Sequence, residues 1–178
     1  AIWQNDSLDE RYRFSTHSLL SSALKIWQDA PVTLLREHYR CHPKIINFCN
    51  QKFYHGQLIV MTKDHDEPDV LTMYRTIAGN HARGHLSQRQ IDVIQQEVLP
   101  RLHQQNFQSI GIITPYRDQV TAIRKQLGDT YEVDTVHKFQ GREQDAIILT
   151  SVDNVITDFV DDPHMLNVAV SRAVHSLT

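Results

Sequence analysis

Residues Val133–Val152 constrain this chain more than any other stretch. A polar, glycine-bearing loop, Val136-His-Lys-Phe-Gln-Gly-Arg-Glu143, separates a short strand pattern over Glu132–Val136 from a second one over Ala146–Val152. Ala146-Ile-Ile-Leu149 is an unbroken apolar run. Such a run, without the alternation of a half-exposed strand, belongs to a strand covered on both faces. A polar loop held between buried strands is where open α/β sheets place their ligand chemistry.

The rest of the chain supplies the covering layers. Ser18–Trp27 carries Leu19, Leu20, Ala23, Leu24 and Trp27 at helical spacing. Val32–Leu35 reads as a strand. Pro43 suits the first turn of a helix with Ile45, Ile46, Phe48, Cys49 and Phe53 as its buried stripe, ended by Gly56. Val70–Thr76 reads as a further strand and residues 78–85 as a loop. Ser87-x-x-Gln90 resembles a capping box opening a helix through His103. Ile110–Ile113 is a short buried strand, after which Thr114 is expected to cap a helix with Pro115 at its first position and Gly128 at its end. Leu166–Ala173, introduced by Asp161-Asp162-Pro163, is the last helix, and a strand begins near Ser176. Strand and helix alternate at intervals suited to right-handed crossovers, which predicts a three-layer α/β fold on a parallel sheet.

Composition narrows the function. Eighteen Lys and Arg against 21 Asp and Glu give a formal charge of −3, which argues against holding nucleic acid by one large basic surface. No apolar run approaches membrane-spanning length, so no membrane association is expected. Cys41 and Cys49 are placed poorly for bridging one another, and a reducing, cytoplasmic setting is the default expectation. His38, Cys41 and His42 are the only group with a metal-like look. They offer too few well-spaced ligands for a closed zinc site, so no metal site is expected.

Four separated segments carry the chemistry. They are Leu34–Pro43 (LLREHYRCHP) with Phe53-Tyr-His-Gly-Gln-Leu58, Ile110–Gln119 (IGIITPYRDQ), the Val136–Glu143 loop, and Leu166–Ala173 (LNVAVSRA). In this order and spacing they resemble the superfamily 1 DNA and RNA helicases. The resemblance is to the 5′-to-3′ branch that includes the nonsense-mediated-decay helicases and the nuclease-helicases. The third segment resembles helicase motif V and the fourth motif VI. The resemblance implies a RecA-like domain that handles ATP with Mg2+ and single-stranded nucleic acid.

By that resemblance Arg40 and Arg172 reach the γ-phosphate, where a planar, permanently charged fork suits developing phosphoryl charge. Tyr39 would lie against adenine, Glu143 would accept from ribose hydroxyls, and Gln140 and Gly141 would line the cleft. Thr114, Pro115, Tyr116, Thr135 and His137 would contact the backbone of the strand. Each has an ordinary alternative: ion pairs with nearby carboxylates for the arginines, an Arg142 partner for Glu143, capping for Thr114 and packing for Tyr116 and Tyr39. Met165 stands where many members of the family carry arginine.

No G-x-x-x-x-G-K-[ST] loop occurs in the 178 residues, so the chain has no P-loop of its own. The family keeps that element and the magnesium-holding acidic pair in its first, N-terminal RecA-like domain. The resemblance therefore assigns residues 32–178 to the second RecA-like domain, cut short at its C-terminal end. Residues 1–31 would be a lead-in from the end of the first. Alone, the chain is expected to be inactive. A degenerate helicase-like domain serving as a nucleic-acid-binding or scaffold module is the competing expectation.

Overall fold

The computed structural model describes residues 9–13, 15–77, 82–153, 155, 157–158 and 160–178. It divides into two compact units, Ala1–Leu35 and Arg36–Thr178. In the smaller unit, α1 (Leu19–Ile26) starts where Ser18 Oγ accepts from the Ser21 amide. The expected strand at Val32–Leu35 does not form. Val32 and Leu35 are 73% and 87% exposed, and among the described residues no partner strand takes their backbone groups.

In the larger unit the first strand comes later, as β1 (Glu37–His38). Then α2 (Pro43–Phe53) runs from a His42 cap with Pro43 in its first turn, as expected. It buries Ile45, Ile46, Cys49 and Asn50, while Phe48 is exposed. Asn50 is inside because its side chain both donates to and accepts from Leu58, closing the turn into β2 (Ile59–Val60), which pairs in parallel with β1.

The strand expected over Val70–Thr76 shrinks to a single rung. Thr72 N–H donates to Leu177 and Leu177 N–H to Val70, and beyond that Met73 is 87% exposed. Part of the expected loop, residues 78–81, lies outside the described residues. The remainder forms a hairpin, β3 (Ala82–Arg83) and β4 (Leu86–Ser87). Gly84 has φ +60 and His85 does not share it. A two-residue turn with a positive φ only at its first position is one that follows strand twist, and glycine takes it at least cost.

The helix expected to end at His103 comprises α3 (Gln88–Val93), a π turn (Ile94–Val98) and α4 (Leu99–Gln104). Pro100 lacks the N–H that would bond one turn back and its ring crowds that carbonyl, which accounts for the widened turn before it. The capping box is absent: Ser87 makes no side-chain cap bond and Gln90 turns elsewhere.

β5 (Ile110–Thr114) is buried at every residue. α5 (Arg117–Leu127) begins two residues later than expected, with Tyr116 in the cap position, and ends at Gly128. Thr114 is thus the last strand residue rather than a cap, and Pro115 sits in the connection. β6 (Glu132–Thr135) leads into a 3₁₀ turn, Val136–Phe139, and then β7 (Gln144–Leu149). α6 (Pro163–Val170) starts three residues ahead of the expected helix because Asp162 caps it, accepting from Met165 N–H at 2.8 Å. Ala173 is already in the final strand, β8 (Ala173–Leu177).

The main sheet runs β6-β5-β7-β8, all parallel. Side chains alternate across it. Ile113 and Ile147 pack with Ile45, Cys49, Phe139 and Ala169 on the α2–α6 face. Ile112, Ala146 and Ile148 pack with Ile91, Leu102 and Ile123 on the α3–α5 face. The expected three-layer parallel architecture is what forms.

Candidate nucleotide and nucleic-acid sites

Pairing defines two edges of this sheet. Glu132, Gln144 and Ala173 begin their strands on one side, and Thr114, Thr135 and Leu149 end theirs on the other, roughly 10–17 Å away by strand rise. Since β6 and β7 are parallel, the loop joining them has to cross the whole sheet. The 3₁₀ turn makes that crossing, with Val136 and Phe139 buried beneath it and His137 and Lys138 exposed above. It passes over Gly111, where a Cβ would stand 2.9 Å from Phe139 Cε1. Glycine is the residue that lets the ring sit there.

The amino edge collects the residues assigned to nucleotide. Arg40, delivered by the turn after β1, holds Glu143 at 2.7 Å. Arg172, between α6 and β8, donates from Nε to the Val168 carbonyl and from Nη2 to Ser171 Oγ, both at 3.1 Å. Among the described residues it has no carboxylate at ion-pair distance. Burial, and then the charge on Arg40, weaken its basicity slightly from the usual guanidinium value, while Glu143 opposes this. One carboxylate, held by Arg40, thus stands near two guanidinium groups, an excess of positive charge that favours an incoming anion.

The expected Arg142–Glu143 alternative does not occur: Arg142 pairs with Glu132 on β6, leaving Glu143 to Arg40. For Arg40 the ordinary ion pair is present. Tyr39 donates its hydroxyl to Glu37, and the residue is 65% exposed. Glu37, His38, Tyr39, Arg40, Glu143 and Val174 line an open depression of about 570 Å³. Gln140 and Gly141 are exposed in the turn beyond Phe139, with Gly141 at φ +85. Gln140, Gly141 and Glu143 stand at the amino edge because the loop crosses the sheet before it presents them.

His38 and Cys41 are engaged with one another. His38 Nε2 accepts from the Cys41 amide at 2.9 Å, and burial, with help from Arg40, favours its neutral ring. Cys41 is fully buried. His42 instead meets Asp64 and Glu67, whose oxygens lie close enough to share a cation with it. Its Nδ1 accepts from Lys44 N–H at 3.1 Å, so the ring proton sits on Nε2, 3.2 Å from Glu67 and 3.4 Å from Asp64. A nitrogen so protonated donates to carboxylates and has no lone pair for a metal. Lys44 already supplies Asp64 with a cation at 3.2 Å.

The carboxyl edge collects the residues assigned to the strand, with one correction. Thr114 is fully buried, so its side chain presents nothing to a ligand. Pro115 and Tyr116 are half-buried, Thr135 is half-buried and His137 exposed. Tyr116 donates to Asp153 at 2.6 Å and stacks on His85, ring centroids 4.3 Å apart and 22° from parallel. Fully buried Gln119 grips the base of the hairpin, accepting from Ser87 N–H at 2.9 Å and donating to its carbonyl. Gln90 accepts from Val152 N–H at 3.0 Å and from the Thr150 hydroxyl. Val152, buried at φ +68, is a strained position for a β-branched residue. His85 and Asp153 carry no local pattern that announces a site, Gln90 reads only as part of a cap, and Gln119 only as the end of its motif segment. Folding alone assembles them.

A parallel three-layer sheet that carries the four motif segments in order is what a superfamily 1 helicase-type domain requires. A family model described as an AAA domain matches residues 15–91 and 80–178, and the chain belongs to that family, within the superfamily 1 helicases its motifs resemble. An uncharacterized ATP-dependent helicase of Caenorhabditis elegans is 31% identical over 80% of this chain and 11% of its own length. A regulator of nonsense transcripts 1 homolog of Neurospora crassa is 29% identical over 90% of the chain and 17% of the relative. Helicase sen1 of Schizosaccharomyces pombe is 31% identical over 81% and 10%. The chain thus spans under a fifth of each of these relatives. A solved PRRSV helicase aligns over 85% of the chain and 24% of its own, at 15% identity and a TM-score of 0.47. Among the described residues no helix is long and apolar enough to cross a membrane.

Proposed function

We propose that residues 32–178 are the second RecA-like half of an ATP-dependent superfamily 1 helicase. They work in a cleft shared with an N-terminal P-loop domain of the same parent protein, and residues 1–31 lead in from that domain. The observation that carries this reading is Arg172, held by Val168 and Ser171 with no carboxylate at ion-pair distance among the described residues, close enough to the Arg40–Glu143 pair to feel both charges.

When ATP enters, Arg40 exchanges Glu143 for a γ-phosphate oxygen. The Arg40–Glu143 pair is more than a third exposed, so opening it costs little. Glu143 is then free to accept from ribose hydroxyls. Arg172 needs no such exchange, since its bonds to Val168 and Ser171 aim the guanidinium without neutralising it. Tyr39 offers its ring to adenine, and Gln140 and Gly141 line the wall. Mg2+ would arrive with ATP and be held by the partner domain, since Glu37 is engaged by Tyr39 and Glu143, once released, turns to the ribose hydroxyls.

Pro115, Tyr116, Thr135 and His137 meet a single strand of DNA or RNA at the opposite edge. The 3₁₀ crossing joins the two sites, so a shift of Gln140–Glu143 on ATP binding moves the segment that carries His137.

Arg172→Ala in the parent protein tests the reading. Turnover of ATP should fall by roughly a thousandfold, the scale of a lost arginine finger, while ATP binding persists. Near-normal turnover would remove the proposal's central element.

A further inference from the structure

We infer that the β3–β4 hairpin is a base-stacking step for single-stranded nucleic acid, with His85 as the ring that meets the base. The inference rests on the strand-binding reading of the carboxyl edge and gives it a mode of contact beyond the sugar-phosphate backbone.

Three observations converge. His85 is exposed at the tip of a two-residue turn, yet its ring is ordered by stacking on Tyr116. One face of the imidazole is therefore covered, and among the described residues no other ring stacks on it, which leaves the second face for a base. Tyr116 is itself held through its hydroxyl by Asp153, so the lower ring cannot swing away when the upper one is loaded. The hairpin is pinned at its base by buried Gln119, which takes both backbone groups of Ser87.

The tip is thus pre-ordered from two sides, and a base docking there would order little that is not ordered already. Stacking accepts any base, because each has a flat face, and this suits a protein that tracks along a strand. Charge around the tip is compatible with a polyanion. Arg83 precedes the turn and Arg117 opens α5, both exposed. Asp153 spends its carboxylate on Tyr116, and Asp118 is the other acidic group at this helix start. Arg83 supplies the phosphate contact that accompanies the stacked base.

The test measures fluorescence anisotropy of the parent protein with labelled oligothymidylate or oligouridylate, whichever it holds more tightly, and with an abasic strand of the same length. The wild type should bind the base-bearing strand more tightly. His85→Ala should weaken that strand roughly tenfold and the abasic strand by less than about twofold, and His85→Phe, which keeps a ring, should retain most of the affinity. Equal losses on the two strands, no loss on either, or the same loss for His85→Phe would each overturn the stacking role. A wild type that binds both strands equally defeats the stacking role alone. A wild type that binds neither defeats the strand-binding reading with it.

Discussion

Gly111→Ala puts the sheet-crossing loop to a stability test. The new Cβ would lie 2.9 Å from each of three carbons: Phe139 Cε1, Ile147 Cδ1 and Gln144 Cγ. Carbon pairs rest at roughly 3.5–4.0 Å, so each neighbour has to retreat by about half an ångström or more. Gln144 can, because its side chain is half-buried and flexible. Phe139 and Ile147 cannot move freely, being completely buried in the same cluster. Overpacking of this kind costs about 1–3 kcal/mol, offset by about 0.4–1 kcal/mol because alanine restricts the unfolded chain. At the middle of both ranges the net loss is about 1 kcal/mol, or roughly 2–4 °C in Tm for a chain of this size. Urea unfolding followed by circular dichroism should show a lower midpoint at unchanged slope. Trimming the ring should relieve the clash, so Gly111→Ala/Phe139→Leu should be less destabilised than the sum of the single changes. A Gly111→Ala chain as stable as the wild type, or strictly additive losses, would refute the claim that this glycine exists to seat Phe139.

Two other outcomes follow from the interior. Gln119→Leu leaves the Ser87 amide without its acceptor and should destabilise the chain by about 1–3 kcal/mol, with protease cleavage appearing first at the 82–87 hairpin. An unchanged cleavage pattern would separate the hairpin from Gln119. Burial pushes the Cys41 thiol up to about 11 and Cys49 up to about 12. The folded state therefore keeps its thiol protons when the unfolded chain has begun to lose them. Stability from these groups is complete below the unfolded thiol pKa, near 8.5, and falls as pH rises toward 11–12. Neither thiol should react with a disulfide reagent at pH 8 until the chain unfolds. Rapid labelling of the native chain would contradict their burial.

Much of this domain was legible before folding. The apolar runs at Ile110–Ile113 and Ala146–Leu149 became central strands because nothing polar interrupts them, and α2 and α6 start beside the prolines that mark their first turns. The four motif segments identified the family because their residue types and order persist without reference to any contact. Misreadings fell where the outcome depends on a distant partner. Val70–Thr76 has strand-like residues, but only Leu71 finds a neighbouring backbone to pair with. Ser87 and Gln90 have capping-box spacing, but Gln119 and the Thr150–Val152 segment compete for them and win. Thr114 looked like a cap and a ligand contact, and burial at the strand end made it neither.

Local pattern, then, determined the elements, the layers and the family, since each depends on spacing along a few consecutive residues. Tertiary structure alone decided which edge of the sheet each motif residue occupies, that Glu143 pairs with Arg40 rather than Arg142, and that His85 lies on Tyr116. The parallel sheet is the reason. Every connection in it must travel from one edge to the other, so residues adjacent in the motif loop part company, and residues remote in sequence meet.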